Sequence, residues 1–200
     1  FGTDVSKLVR AYRDDPWTLP LAQLPRVYLD DGSDVLSGNL GDASPMVGQA
    51  ATDFTLRSLV QEKFRLSENH GRVVVLDFWA SWCGPCVQTM PLVEQAVADA
   101  GSDHVQLVAI NIQEPVARVQ AAVDRLQMSS TVLLDVDGQV AAAYQANAIP
   151  QTVIIDRAGN VTHVFVGGGA RFVAHFKEAL ETVVAMPEAG PPVDAAQSTE

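Results

Sequence analysis

Cys83 and Cys86 are the only thiols among 200 residues, and they stand three positions apart in Trp82-Cys83-Gly84-Pro85-Cys86. A thiol is a nucleophile only as its thiolate. Two thiols one helical turn apart share a face and can close a disulfide. The chemistry this pattern offers is dithiol–disulfide exchange: one sulfur attacks a partner's disulfide and the other releases it. Two other readings use the same pair. Half a zinc site would need a second pair of ligands, yet His70, His104, His163 and His175 are scattered singly. A purely structural cross-link over so short a loop gives little entropic benefit.

The sulfurs need a strand to deliver them and a helix to receive them. Val73–Trp79 is a dense apolar run rich in β-branched residues, as a buried central strand requires. Cys83–Ala100 follows with Val87, Met90, Val93, Val97 and Ala100 near helical spacing, and with Gly101 at its end. Cys83 then sits at a helix N-terminus, where free N–H groups and the helix dipole favour a thiolate. Gly84 and Pro85 suit the tight opening turn, and Trp82 gives an apolar cover beside the sulfur. Pro91 lies inside the helix and is expected to kink it.

Asp77 interrupts the apolar strand. A carboxylate there is costly unless paired or protonated, and burial raises its pKa toward the range of a proton acceptor. The blander reading turns it to a polar edge. Trp79 reads as core and Glu94 as solvated surface.

Further elements follow by pattern. Phe54–Arg57 and Phe64–Leu66 predict a hairpin, and Val105–Ile112 a second buried strand. Pro115–Gln127 predicts a helix with proline in its first turn. Thr131–Asp135 predicts a strand before the Asp137-Gly138 turn, and Val140–Tyr144 one helical turn. Thr152–Asp156 and Val161–Val166 predict strands joined by Ala158-Gly159-Asn160. Gly167-Gly168-Gly169 allows either the close approach of a substrate backbone or a flexible join before an amphipathic helix over Arg171–Met186. Residues 1–46 read as an extension or linker, with a short helix near Val5–Arg13, or as the remnant of an upstream domain. Residues 47–186 read as the main domain, and 187–200 as a disordered tail rich in Pro, Ala and acidic residues.

The net charge of −11 disfavours nucleic acid, whose binders are basic. The longest uncharged run, Gly138 to Ile155, carries Gln, Asn and Pro and is no membrane span. The chain begins at Phe1 with Asp4, Lys7 and Arg10 close behind, which predicts a piece of a longer product whose address label is missing.

The run Val75-Leu76-Asp77-Phe78-Trp79-Ala80-Ser81-Trp82-Cys83-Gly84-Pro85-Cys86 resembles the active-site strand and turn of the thioredoxin superfamily. Pro91 and Ala148-Ile149-Pro150-Gln151-Thr152 match its helix proline and its cis-proline loop. Within the superfamily the chain is similar to the TlpA/ResA-like branch, in its opening segment Val47–Leu56, its inserted segment Val132–Gly138 and its closing hairpin Ile154–Val161. The resemblance covers about residues 46–186. It implies an α/β thioredoxin fold with an N-terminal β-hairpin extension, an inserted strand/helix segment and a central mixed sheet flanked by helices. It implies a cis bond before Pro150, beside the sulfurs, with Ile149's backbone free to pair with an extended peptide. Cys83 would attack and Cys86 resolve, with Asp77 taking the proton and Trp82, Gly84, Pro85 and Ile149 meeting the substrate. Where related thioredoxins place a lysine near the acid, this chain has Ala109.

The implied protein is bacterial and extracytoplasmic, and it needs no cofactor beyond its redox-active disulfide. Its partners would be protein thiols and disulfides, such as apocytochrome c during cytochrome c maturation, and an upstream electron donor. The alternatives are a redox-active or non-catalytic thioredoxin-like binding module of a larger protein and a thiol peroxidase. The peroxidase motif Pro-x-x-x-Thr-x-x-Cys would need Pro at 76 and Thr at 80, where Leu76 and Ala80 stand.

Overall fold

The structure is a computed structural model that describes residues 44–101 and 103–187. The proposed Val5–Arg13 helix lies outside them, as do all but the ends of the extension and tail. Seven strands form one sheet: β1 (Thr55–Ser58), β2 (Lys63–Arg65), β3 (Val73–Trp79), β4 (Val105–Ile112), β5 (Thr131–Asp135), β6 (Gln151–Ile155) and β7 (Val161–Val166). Among the described residues four α-helices accompany them: α1 (Gly84–Ala100), α2 (Val116–Leu126), α3 (Gln139–Ala143) and α4 (Ala170–Ala185).

The strand order is β2-β1-β5-β4-β3-β6-β7. β3, β4 and β5 run parallel, which requires the crossovers that α1 and α2 supply. β6 and β7 add antiparallel to one side of this block, and β1 and β2 to the other. All seven residues of β3 are buried, because the strand has neighbours on both sides and a layer on each face.

Strand alternation divides the core. Val74, Leu76 and Phe78 face Tyr144, Val140 and Val164. Val73 and Val75 face Val93, Ala96 and Val97 of α1 and Phe172, Phe176 and Leu180 of α4. A third cluster gathers Trp79, Ala80, Cys83, Cys86, Met90 and Ala109 with Val119 and Ala122 of α2. The sulfurs therefore lie at the end of the sheet where β3 and β4 both finish.

Several boundaries move by a residue or two. Proline fits the flank of the helix better than its interior, and Pro115 is the N-cap residue of α2, with Gln127 left-handed at the other end. α4 starts at Ala170 and stops at Ala185. Glu94 is not merely solvated surface: it is half-buried, and one carboxylate oxygen accepts from the N–H groups of Ser129 and Ser130. It thus ties α1 to the loop before β5.

Candidate active site

Cys83 and Cys86 are joined by a disulfide, with Cα atoms 5.3 Å apart. Cys83 is the N-cap residue of α1, and Pro85 fills the first turn, where a missing N–H costs nothing. The turn leading to it is closed by the Cys83 N–H donating to the Ala80 carbonyl, 3.1 Å. The Cys86 N–H donates to Cys83 Sγ at 3.2 Å. On reduction this amide and the helix terminus face the Cys83 sulfur, which stabilises a thiolate there.

Cys83 is largely enclosed. It keeps 5% exposure against 0% for Cys86, so of the two cysteines it is the one open to solvent. The rim around it is apolar. Trp82 is 53% exposed, Pro85 is exposed, and Gly84 and Ile149 are half-buried. Trp82 is thus a flap open to solvent rather than a lid sealed over the sulfur.

The Ile149–Pro150 bond is cis, and the Ile149 carbonyl oxygen lies 3.7 Å from Cys83 Sγ. The fold brings this loop to the sulfurs because β6 pairs with β3 and begins at Gln151, opposite Phe78. The glycine run packs behind it. The Gly167 N–H donates to the Pro150 carbonyl at 2.8 Å. A Cβ on Gly168 would sit 2.5 Å from Thr89 Cγ2 and 3.7 Å from Pro150 Cγ. At Gly168 the glycine run packs closely on this chain's own Thr89 and Pro150, a contact that neither reading of Gly167–Gly169 supplied.

Asp77 is 1% exposed and points to the α1 face of β3, with Ala109 as its register partner on one side and Thr152 on the other. Thr152 Oγ1 donates to Asp77 Oδ1 at 2.7 Å, and Oδ2 has no partner. Burial pushes the carboxyl up from 3.8 to about 7, and the Thr152 hydrogen bond pulls the other way. The polar-edge reading of Asp77 is excluded, since β3 has no exposed residue. Trp79 is wholly buried.

Sequence reasoning passed over Thr152, Ser81, Asn111 and Glu114. Thr152 emerges only with the β3–β6 register, which places it opposite Asp77. Glu114 is buried, and it takes the N–H and hydroxyl of Ser81, both at 2.6 Å, and the Asn111 amide at 2.8 Å. Its only signal is a carboxylate just before Pro115 at the end of a buried strand.

A family model described as the AhpC/TSA family matches residues 47–164. The chain belongs to that family. ResA, a thiol-disulfide oxidoreductase of Geobacillus kaustophilus, is 33% identical over 121 residues, 60% of this chain and 70% of that one. The thioredoxin-like protein YneN of Bacillus subtilis is 35% identical over 123 residues, covering 60% and 71%. A structure assigned as the thiol:disulfide interchange protein DsbE of Chlorobium tepidum superposes with a TM-score of 0.67 at 31% identity, covering 70% of this chain and 99% of its own. With a cysteine pair at the helix mouth, this member of the family is a thiol–disulfide oxidoreductase of thioredoxin fold. The peroxidase alternative is disfavoured, since Leu76 and Ala80 stand where its motif needs Pro and Thr.

Proposed function

We propose that this oxidoreductase works outside the cytoplasm of a bacterium as a reductant of protein disulfides, apocytochrome c being one such partner. The observation that carries the reading is the disulfide at the mouth of α1, with the Ile149–Pro150 loop against Cys83 Sγ. The Gly-Pro pair between the cysteines matches reducing thioredoxins, whose potential is about −270 mV. A secreted disulfide oxidoreductase of Mycobacterium tuberculosis, described as homologous to E. coli DsbE, is 25% identical with a TM-score of 0.57, covering 64% of this chain and 95% of its own. This supports an extracytoplasmic setting. Among the described residues no helix is long and apolar enough to cross a membrane.

In the mechanism, the Cys83 thiolate attacks one sulfur of the partner's disulfide. That bond breaks, a mixed disulfide forms, and the partner's other sulfur leaves as thiolate and takes up a proton. Cys86 then gives its proton to the Asp77 carboxylate and attacks Cys83 Sγ. The mixed disulfide breaks, the partner's second sulfur leaves as thiolate and takes up a proton, and the partner departs carrying two thiols. The chain is left with the Cys83–Cys86 disulfide, and an upstream dithiol donor returns the electron pair. The apolar rim of Trp82, Pro85 and Ile149 receives the extended peptide beside the partner's disulfide, with Gly84 leaving room at the turn and Ile149's backbone pairing with it. The electrons are carried by the cysteine pair alone.

Insulin reduction by the wild type, Cys83→Ser and Cys86→Ser tests this. The wild type turns over, Cys83→Ser is inert, and Cys86→Ser accumulates a mixed disulfide visible by mass spectrometry. A wild type no better than Cys83→Ser ends the reading. A glutathione titration tests direction: a midpoint of about −270 mV or below fits a reductant, and about −120 mV an oxidant.

A further inference from the structure

The turn that carries Cys83 is held from outside its own strand and helix. β4 ends at Ile112, and Gln113, with φ +52°, turns the chain so that Glu114 reaches back across the sheet end. Glu114 is 5% exposed. Its Oε2 accepts from the Ser81 backbone N–H at 2.6 Å and from Asn111 Nδ2 at 2.8 Å, while its Oε1 accepts from Ser81 Oγ at 2.6 Å. Asn111 is itself the register partner of Trp79, the last residue of β3.

Burying a carboxylate is costly, and such groups persist where every hydrogen bond is supplied. Here the cost falls on a group that grips one residue by both backbone and side chain. That residue lies two positions before Cys83, inside the turn closed from Cys83 N to Ala80 O. The Ser81 N–H would otherwise be an orphan at the end of β3. We propose that Glu114 is a positioning residue for the exchange reaction: by clamping Ser81 to the end of β4, it holds Cys83 where the Cys86 amide and the mouth of α1 stabilise its thiolate.

The inference rests on Cys83 being the attacking thiol, but its test does not require a partner to be reduced. Insulin turnover by the wild type judges that reading, whereas alkylation of reduced protein judges the clamp. Glu114→Ala removes both acceptor oxygens and with them all three hydrogen bonds. Glu114→Gln keeps the shape, since its amide oxygen can accept from Ser81 N–H and Asn111 while its NH₂ donates to Ser81 Oγ. The measurement is the pH profile of iodoacetamide alkylation at Cys83. The expected result for Glu114→Ala, folded by circular dichroism, is alkylation about tenfold slower at pH 7, with the Cys83 midpoint displaced upward by about one pH unit. Glu114→Gln should recover to within about twofold of the wild type. A folded Glu114→Ala with an unchanged profile would leave Glu114 a merely structural residue and overturn the proposal. So would a Glu114→Gln as slow as Glu114→Ala, since charge rather than position would then be at work. If Glu114→Ala does not fold, Ser81→Ala carries the same test, with about threefold slower alkylation expected and an unchanged rate overturning the clamp.

Discussion

At the scale of single residues, Asp77 ties chemistry to stability. Its carboxyl is raised by burial to about 7, so between pH 3.8 and 7 the folded chain holds a proton that the unfolded chain has released. Stability therefore falls as pH rises through that window. Asp77→Asn, neutral throughout, should unfold at higher denaturant than the wild type at pH 8 and show no such advantage at pH 4. A group moved from 3.8 to about 7 sets a ceiling of about 4 kcal/mol on the difference. Urea unfolding of the oxidised proteins at both pH values measures it. The same substitution should slow attack by Cys86. Resolution of a preformed mixed disulfide should accelerate with pH across about 7 in the wild type, and Asp77→Asn should lack that step. If the two profiles run parallel, Asp77 is not the proton acceptor.

At the scale of elements, the site is an agreement between α1 and the join of β7 to α4. Gly168 stands where a methyl would press on Thr89 Cγ2 at 2.5 Å, and Thr89 is fixed on α1 by hydrogen bonds from its hydroxyl to the Pro85 and Cys86 carbonyls. A β-branched side chain has little freedom to turn away. Gly168→Ala should cost about 1–3 kcal/mol by overpacking and push the glycine turn off Pro150. Adding Thr89→Ser, which deletes the offending methyl and keeps the hydroxyl, should recover most of the loss in both urea midpoint and insulin reduction. A double variant no better than Gly168→Ala would mean the strain lies elsewhere.

At the scale of the whole molecule, the core and the chemistry separate along the sheet. The Phe172–Phe176–Leu180 face of α4 packs on Val73, Val75 and Val97, while the sulfurs cluster with Trp79, Met90 and Ala109. Phe176 is fully buried, with Phe165 and Phe172 ring centroids 6.1 and 5.6 Å away. Phe176→Ala should therefore destabilise by about 3–5 kcal/mol. The glutathione midpoint of the folded variant should stay at the wild-type value, because its groups around Cys83 are unchanged. A moved midpoint would show that α4 packing reaches the site.

The sequence by itself determined the reactive pair, the strand that delivers it and the helix that receives it. Those signals are local: apolar runs, helical spacing from Val87 to Ala100, and a proline tolerated only in a first turn. The bounds of β3, β4, β5 and β7 were legible for the same reason, since each is an apolar run with turn residues at its ends. What only the tertiary structure decided is which distant residues complete the site. Thr152 meets Asp77 across 75 positions and Glu114 meets Ser81 across 33. Both contacts arise because β3 is paired on both sides, with β6 and β4. Sheet order and register are set by summed burial and backbone pairing over the whole domain, and no short stretch of sequence carries that sum.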